Sequence, residues 1–400
     1  MNSKIVAIIA VIVVVVAGAA AAVALTSNNN SDDTNDRPFN MISRVNSEGS
    51  GVFIKSSVIN MQDGIPYRNG TPFYTVTDDG YTVDKTNAAA WGGLVFSTPG
   101  TTSIQHVQMA TLANQMGFEF KVYTDGMTKD SNTMYYYTNL SNFSLITADS
   151  ALGVIDGGII WEPQYQRIVQ EKSDVFVSLA LTNDLFPEHT CCIIVGNSDF
   201  LKNNTITAEK FLARYAKAVD YVNNAIANPE SKDYADLVDF TMTKVPGINE
   251  DEVKAAFGTI TYLYADTKDG SLSVLKTQVA DLIDGLDTIG AFSKEHGDST
   301  AIANKFVDDT YLKDALSGKD LGTEKASITV ATITGDIHQI ALHVAIDKGF
   351  FEEYGLTVNL ASATNGGGIS TAMLNGSADF GFLGAPPATT TTINSGLITA

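Results

Sequence analysis

The chain has 400 residues, of which 44% are hydrophobic and 18% charged, so it can bury a sizeable core and has room for two or three domains. Its 25 Lys and Arg against 45 Asp and Glu give a net charge of −20. This balance argues against a nucleic-acid partner, because binding phosphates needs concentrated positive charge, and it suits a well-solvated exported surface.

Residues 5–25 form an uncharged apolar run that is long enough to cross a membrane as a helix. Lys4 precedes the run and several Asp follow it, a distribution that predicts the body of the protein on the outer side of the membrane. We therefore expect residues 1–25 to be a single N-terminal transmembrane helix that anchors the protein in the cell membrane. A cleaved signal peptide and a secreted protein are the alternative, with Ala19–Ala22 as the cleavage site. Residues 26–40, rich in Ser, Asn and Asp, are expected to be a disordered tether.

The chain contains two cysteines, Cys191 and Cys192, which are adjacent in the apolar run CCIIV. Adjacent cysteines cannot link distant segments, and no His motif accompanies them, so neither a metal site nor a Cys/His nucleophile is indicated. We interpret both as buried strand residues. A strained vicinal disulfide is the alternative.

Strand and helix patterns alternate along the body of the chain, which predicts α/β architecture with parallel strands. The run from Leu94 to Tyr123 has the pattern strand, turn, helix, strand, and Thr101 or Thr102 can cap its helix. The region from Met61 to Asn87 has the composition of an irregular insertion or hairpin. A mainly helical region and a polar linker follow later in the chain, and the strand and helix alternation resumes after that linker.

The C-terminal run resembles the opening of ABC-importer substrate-binding proteins of the type that carry sulfonates, nitrate and thiamine-precursor pyrimidines. Four pieces of that pattern occur in order: GDIHQ at Gly335, KGFFEEYGLTV at Lys348, NGGG at Asn365 and ADFGFLGAPP at Ala378. Three earlier pieces are similar to the ligand loops of the family's middle region: NSEGSG at Asn46, STPGTTSIQH at Ser97 and DGGIIWEPQ at Asp156. The resemblance implies the type 2 periplasmic-binding-protein fold, with two α/β lobes hinged around a cleft.

The motifs stand in an unusual order, because those that open the family's sequences close this one. We interpret the order as a natural circular permutation, in which a linker at residues 317–326 joins the ancestral termini and new termini open on the surface. A head-to-tail array, or a truncated longer gene whose tail completes a neighbour's lobe, is the alternative. A permutation predicts that the strand at 328–332 lies beside strands between residues 41 and 54 in one sheet.

The resemblance also divides the chain into lobes. The predicted first lobe consists of residues 41–92, the mostly helical residues 188–316, and residues 327–400, which correspond to the family's N-terminal part. The predicted second lobe consists of residues 93–187.

Each candidate ligand loop follows a predicted strand, which places the loops together at the carboxyl edge of the sheets. NGGGIST and STPGTTSIQ both begin helices, so they bring free backbone N–H groups and a positive dipole end toward a ligand. We expect Trp161 to pack on a ring or alkyl part of the ligand and Glu162 to accept a hydrogen bond from it. Ordinary helix caps, a flexible glycine turn and a buried Trp161 are the structural alternatives. The expected ligand-binding residues are Glu48, Ser50, Gly51, Thr101, Thr102, Ser103, Trp161, Glu162, Asp336, His338, Gln339, Asn365, Gly366, Gly367, Gly384 and Pro386.

These features together predict an extracellular solute-binding protein that delivers a small organic or anionic solute to an ABC permease. The sequence contains no H-E-x-x-H, G-x-S-x-G or Cys/His ligand spacing, so we expect no catalytic residue, metal or cofactor. We also expect a monomer without a nucleic-acid partner. An enzyme of the related pyrimidine-synthesis type, which would need a reactive His or Cys in the cleft, and a sensor ectodomain are the alternatives.

Overall fold

The computed structural model describes residues 38–138 and 140–396, which belong to one compact unit. The predicted anchor and most of the predicted tether lie outside the described residues. Within the described ranges, no helix is both long enough and apolar enough to span a membrane. The predicted tether ends too late, because Phe39 and Asn40 are buried and already paired in a strand.

Strands and helices alternate through most of the described chain. The strands are β1 (Phe39–Glu48), β2 (Ser50–Lys55), β3 (Asn60–Gln62), β4 (Ile65–Arg68), β5 (Thr71–Pro72), β6 (Thr75–Thr77), β7 (Gly80–Thr82), β8 (Val95–Ser97), β9 (Glu119–Val122), β10 (Thr133–Tyr137), β11 (Gly157–Trp161), β12 (Phe176–Leu181), β13 (Thr190–Asn197), β14 (Ile260–Tyr262), β15 (Ala326–Ile333), β16 (Leu356–Ala363) and β17 (Phe380–Gly384). The helices are α1 (Ala88–Trp91), α2 (Ile104–Gln115), α3 (Phe143–Ile146), α4 (Asp149–Leu152), α5 (Gln164–Glu171), α6 (Thr182–Leu185), α7 (Ser198–Asn203), α8 (Thr205–Ile226), α9 (Lys232–Lys244), α10 (Glu250–Phe257), α11 (Ser273–Thr288), α12 (Ser299–Phe306), α13 (Thr310–Leu316), α14 (Ile340–Asp347), α15 (Gly366–Leu374) and α16 (Ala385–Ser395). Short 3-10 turns lie at Ser56–Val58, Ile337–Gln339 and Glu352–Tyr354.

Most strands belong to two six-stranded sheets, each of which forms one lobe with its covering helices. The first lobe has the strand order β14-β1-β13-β17-β15-β16, and the second lobe has the order β12-β2-β11-β8-β10-β9. The predicted α/β class is confirmed. Two small antiparallel sheets, β3-β4-β5 and β6-β7, occupy the region for which the sequence predicts an insertion or hairpin.

The central strands of the second-lobe sheet, β2, β11 and β8, are covered on both faces and are buried almost throughout. Val52 and Ile54 of β2 join one buried cluster with Met109 and Leu112 of α2. Phe53, between them, joins a different cluster on the other face. Neighbouring side chains of a strand point to opposite faces, so a single strand supplies both cores.

The C-terminal segment shares the core of the first lobe. Phe211 of α8 stacks on Phe380 of β17 with ring centroids 4.4 Å apart, and on Phe351 with centroids 5.3 Å apart. These three rings belong to one buried cluster that also contains Ile42 and Val45 of β1. Residues from 326 onward therefore complete the first lobe and do not form a separate folding unit.

The chain passes from the first lobe to the second at Gly49. Its φ of +81° lies in the left-handed region, where glycine has no Cβ to clash. This position corrects the predicted lobe division, because β2 pairs with β11 and β12, and residues 50–92 therefore do not belong to the first lobe. β1 and β2 are both buried almost throughout, and their different partners far along the chain show that the sheet changes between them.

The strand at 328–332, in β15, lies in the same sheet as β1 but not beside it, because β13 and β17 separate the two strands. β2 lies in the other sheet, so this part of the prediction is wrong. β1 and β17 are both antiparallel to β13, and they are therefore parallel to each other. Their first residues lie at the same edge, because Phe39 pairs with Asn197 and Phe380 pairs with the adjacent Gly196.

Candidate functional site

A cavity of about 340 Å³ lies between loops of the two lobes. Residues 99–105, after β8, and Trp161, at the end of β11, line it from the second lobe. The first lobe contributes the loops after β15, β16 and β17 together with the start of β13. Ligands of open α/β sheets bind beyond the carboxyl ends of the strands, and this cavity is therefore the candidate ligand site.

Most of the predicted ligand residues come together in this cavity. Those that line it are Thr101, Thr102, Ser103, Trp161, Asp336, His338, Asn365, Gly366, Gly367 and Gly384. The structure does not place the others on the cavity wall: Glu48, Ser50, Gly51, Glu162, Gln339 and Pro386.

The polar residues of the second group face protein partners instead of the cavity. Gln339 Nε2 donates to Asp336 Oδ2 at 3.1 Å and so holds that carboxylate in place. Ser50 Oγ accepts from Gln105 Nε2 at 3.0 Å, and Gln105 is the residue that reaches the cavity. The Glu48 carboxylate accepts hydrogen bonds close to the crossing between the lobes. These side chains therefore hydrogen-bond to residues at the cavity or at the crossing and do not line the cavity themselves.

Close packing explains why Gly51 and Pro386 do not line the cavity. A Cβ at Gly51 would clash with the ring of Tyr165, so this glycine allows β2 to approach α5. Pro386 is buried in the first turn of α16, and Pro387 lines the cavity in its place. Neither contact could be inferred from the local sequence.

Two capped helices begin at the cavity. Ser103 Oγ accepts from His106 N at 3.1 Å at the start of α2, and Asn365 Oδ1 accepts from Gly368 N at 3.0 Å at the start of α15. The N–H groups before these capped positions have no acceptor inside their helices, and the positive dipole ends lie beside them. A third helix, α16, also begins here, but the residues after Ala385 are two prolines, which have no N–H to offer.

The glycines of the NGGG loop have different roles. A Cβ at Gly366 would lie 2.7 Å from Pro387 Cγ, so glycine is required there for α15 to pack against α16. A Cβ at Gly367 would meet only Asn365 Oδ1, at 3.3 Å. Gly367 therefore leaves the most open approach to the backbone of α15.

His338 is buried at the cavity wall as a charged imidazolium. Its Nδ1 lies 2.8 Å from Asp336 Oδ1 and its Nε2 lies 3.1 Å from Gly49 O. Both oxygens accept, so both ring nitrogens donate. Burial alone would lower the pKa of His338, but the charge and hydrogen bond of Asp336, with smaller contributions from Cys191 and Gly49, raise it to about 9.

Glu162 is fully buried and faces away from the cavity. Its carboxyl accepts from Thr259 Oγ1 at 2.9 Å and from Gln166 Nε2 at 3.1 Å. Burial raises the pKa of Glu162 to about 7, against the opposing effect of these hydrogen bonds. Thr259 follows α10 next to the first-lobe sheet, whereas Glu162 follows β11 of the second, so the carboxyl connects the lobes.

Glu162→Gln is expected to remove a pH dependence of stability. The folded-state pKa of about 7 exceeds the ordinary value of 4.5, so the stabilisation from this group is present below pH 4.5 and lost as pH rises through 7. In urea unfolding, the free energy of unfolding of the variant minus that of the wild type should increase by on the order of 3 kcal/mol between pH 5 and pH 8. Glu230→Gln serves as a control, because Glu230 is exposed. If the difference in unfolding free energy between Glu162→Gln and the wild type does not change with pH, the raised pKa of Glu162 is contradicted.

Sequence reasoning missed several residues of the wall, most notably the two cysteines. Cys191 and Cys192 are buried strand residues, as predicted. Their thiols are free, and both residues also line the cavity. They reach it because β13 is antiparallel to β17, so Cys192 at its beginning pairs with Gly384 at the carboxyl end of β17. The other missed lining residues are Pro99, Gly100, Ile104, Gln105, Ile333, Thr364 and Pro387.

The charges on the wall are those of Asp336 and His338. No Lys or Arg of the described ranges lines the cavity. The same ranges contain no cluster of three or more His, Cys, Asp or Glu side chains that could hold a metal ion. The site thus combines one paired cation, helix N-termini, hydroxyls, thiols and an aromatic ring.

No curated protein matches the chain. It is similar to the ligand-binding component of an ABC-type import system from Staphylococcus aureus, a structure with zinc bound, with 16% identity over 70% of this chain and 75% of that chain and a TM-score of 0.43. It is also similar to the periplasmic nitrate-binding protein from Synechocystis PCC 6803, with 10% identity over 70% of this chain and 68% of that chain and a TM-score of 0.46.

Residues 321–397 match the NMT1-like family. This segment includes β15, β16 and β17 with the loops that follow them, and so most of the first-lobe wall of the cavity. The family match therefore falls on the same C-terminal segment as the motifs at Gly335, Lys348, Asn365 and Ala378.

Proposed function

We propose that the protein is the extracellular solute-binding component of an ABC importer, held at the membrane by residues 1–25. It would bind a small solute between its lobes and deliver it to a permease. The observation that carries this proposal is the cavity, in which loops from both lobes meet at strand ends. A cleft closed by two lobes can grip a solute and release it by a hinge motion.

The wall of the cavity favours a small anion or polar heterocycle. Its volume of about 340 Å³ is near the lower end of the usual range for ligand sites. The starts of α2 and α15 suit a negative or electron-rich group, and Trp161 can pack on a ring or alkyl part. Because the charge of His338 is already paired with Asp336, a sulfonate, a nitrate-like ion or an aminopyrimidine fits better than a multiply charged solute.

We also propose that the motif order reflects a circular permutation. The structure supports this in two ways: β15 shares a sheet with β1, and β17 starts at the same edge as the parallel β1. In an ancestral order, β17, α16 and β1 would form one parallel unit with a crossover helix. Residues 317–325 between α13 and β15 would then be the joint between the older termini.

The enzyme alternative required a reactive His or Cys in the cleft, and His338 and the cysteine pair do line the cavity. Both nitrogens of His338 already donate, so its ring has no free lone pair with which to act as a general base. This geometry argues against His338 as the base of such an enzyme. Consumption of a candidate solute by the purified protein would instead support an enzyme.

A thermal-shift panel on the full chain in mild detergent tests the proposed function. The panel contains alkyl sulfonates, carboxylates, aminopyrimidines, nitrate and phosphate. A solute present at about one hundred times its Kd should stabilise the protein by about 2.7 kcal/mol, which is a readily measured increase in Tm. A folded sample that no member of the panel stabilises would count against solute binding.

Gly384→Leu should abolish the stabilisation by any solute that the panel identifies. Gly384 lines the cavity, has φ −64° and ψ 147°, and an added Cβ would meet no atom closer than 3.5 Å. The backbone therefore accepts a side chain, and leucine would fill part of the cavity. Gly153→Leu is the matched control, because Gly153 is exposed, lies outside the cavity wall and leaves its Cβ 3.6 Å from the nearest atom. An unchanged solute shift in Gly384→Leu would place the solute elsewhere.

A further inference from the structure

Cys191 and Cys192 face the same cavity although they are neighbours on one strand. Successive side chains of a regular strand point to opposite faces. β13 is irregular here: Asn46 of β1 pairs with Cys192 and the next residue, Ser47, pairs with Thr190. Cys191 is thus an extra residue, a β-bulge, and a bulge redirects the side chains around it. Both residues consequently line the cavity wall.

The two thiols are close together and differ electronically. Their sulfur atoms are 3.8 Å apart, with Cys192 donating toward Cys191. That hydrogen bond and the positive charge of His338 outweigh burial and lower the pKa of Cys191. The same hydrogen bond and burial raise the pKa of Cys192. Cys191 is therefore the better nucleophile of the pair, and Cys192 holds its proton more firmly.

We propose that Cys191 and Cys192 form a thiol–disulfide exchange site on the cavity wall, with small-molecule disulfides as its reaction partners. The Cys191 thiolate attacks one sulfur of R–S–S–R, which forms a mixed disulfide and releases R–S⁻; this thiolate takes up the proton that Cys191 lost. Cys192 then gives up its proton and attacks Cys191 Sγ, which releases the second R–SH and leaves a Cys191–Cys192 disulfide. The protein loses two electrons and two protons, and the small disulfide gains them.

The chain geometry makes this oxidation reversible. Neighbouring Cα atoms are about 3.8 Å apart across a trans peptide, which is shorter than the separation of about 5.5 Å that disulfides prefer. A disulfide between neighbours is therefore strained and easily reduced. Oxidation would also remove two S–H groups from the wall, so the redox state of the pair would alter the surface that a solute meets. The proposal does not depend on the identity of the solute or on transport.

The test uses 4,4′-dithiodipyridine on the folded full chain, with thiopyridone release and intact mass as readouts. The sequence contains 2 cysteines, so every equivalent released reports on this pair. We expect the wild type to release two equivalents, to lose two hydrogens and to retain no adduct. Cys192→Ser should release one equivalent and keep one thiopyridyl group on Cys191. Cys191→Ser should likewise release one equivalent and keep one thiopyridyl group, on Cys192, because no second thiol remains to close the ring.

Two outcomes would overturn the proposal. One is a folded wild type that retains a thiopyridyl adduct, since the ring would then not close. The other is a folded wild type that releases no thiopyridone while the urea-unfolded protein releases two equivalents. Both readouts need only the wild-type chain, so they remain decisive if a serine variant fails to fold. Dithiothreitol should restore both thiols in the oxidised wild type.

Discussion

Asp336→Ala is expected to lower the free energy of unfolding by about 3–5 kcal/mol at pH 7, because it leaves a buried cation without its partner. His338 is 1% exposed and its imidazolium pairs with Asp336 at 2.8 Å. The same carboxylate accepts from Gln339 Nε2 and from the backbone N–H of His338, so its removal also leaves buried donors unpaired. Urea unfolding of the variant and the wild type measures the loss.

A double-mutant cycle separates the charge effect from a general loss of packing. His338→Gln removes the cation, so Asp336→Ala should cost less in that background than in the wild type by at least about 1 kcal/mol. Equal costs in both backgrounds would show that the two side chains do not interact.

The pH dependence gives a second check on the same pair. The pKa of His338 in the folded protein is about 9 and its ordinary value is 6.5, so its stabilising contribution is fully present below pH 6.5 and lost as pH rises through 9. The cost of Asp336→Ala should therefore be smaller at pH 9.5 than at pH 7. A cost that rises with pH would contradict the assignment of an imidazolium.

Gly49→Ala is expected to lower the free energy of unfolding by about 3 kcal/mol or more, since strain and overpacking add at this position. A residue with a Cβ is strained at its φ of +81°, and the Cβ would lie 2.6 Å from His338 Nε2 and 2.7 Å from Ile260 Cγ1. Gly64 has the same φ of +81° with no atom within 4 Å of an added Cβ. Gly64→Ala therefore measures the backbone cost alone, about 1–2 kcal/mol.

Gly49→Ala should also weaken solute binding, because the carbonyl of Gly49 connects the lobes. It accepts from His338 Nε2 at 3.1 Å and from the backbone N–H of Glu162 at 3.0 Å, one from each lobe. A displaced Gly49 would alter how the two walls of the cavity meet. Equal unfolding free energies and equal solute shifts for Gly49→Ala and Gly64→Ala would show that the crossing tolerates a side chain.

Much of the candidate site was predictable because its signals are local. The loops of Thr101 and Asn365 were recognisable as helix starts from their polar caps and glycines, and each followed an apolar strand. Parallel strands bring such loops to one edge of a sheet whatever the rest of the chain does. The resemblance to the family indicated the first-lobe loops, including that of His338, and each of these loops follows a strand.

The direction of a side chain was not predictable where it depended on distant partners. Glu162 follows Trp161 immediately, yet Trp161 lines the cavity and Glu162 bonds Thr259 behind it. The change of sheet at Gly49 was not predicted, because β1 and β2 are both buried almost throughout and differ in partners that lie far along the chain.

The sequence by itself determined the α/β class, the order of the ligand loops and the helices that begin at them, because strand periodicity, caps and turn residues act over a few positions. Only the tertiary structure decided that Cys191 and Cys192 share the cavity wall, that His338 is charged, and that the lobes meet at Gly49. These features depend on an antiparallel strand with a bulge, on a buried ion pair and on contacts between residues far apart in the chain, and such long-range contacts have no local signature.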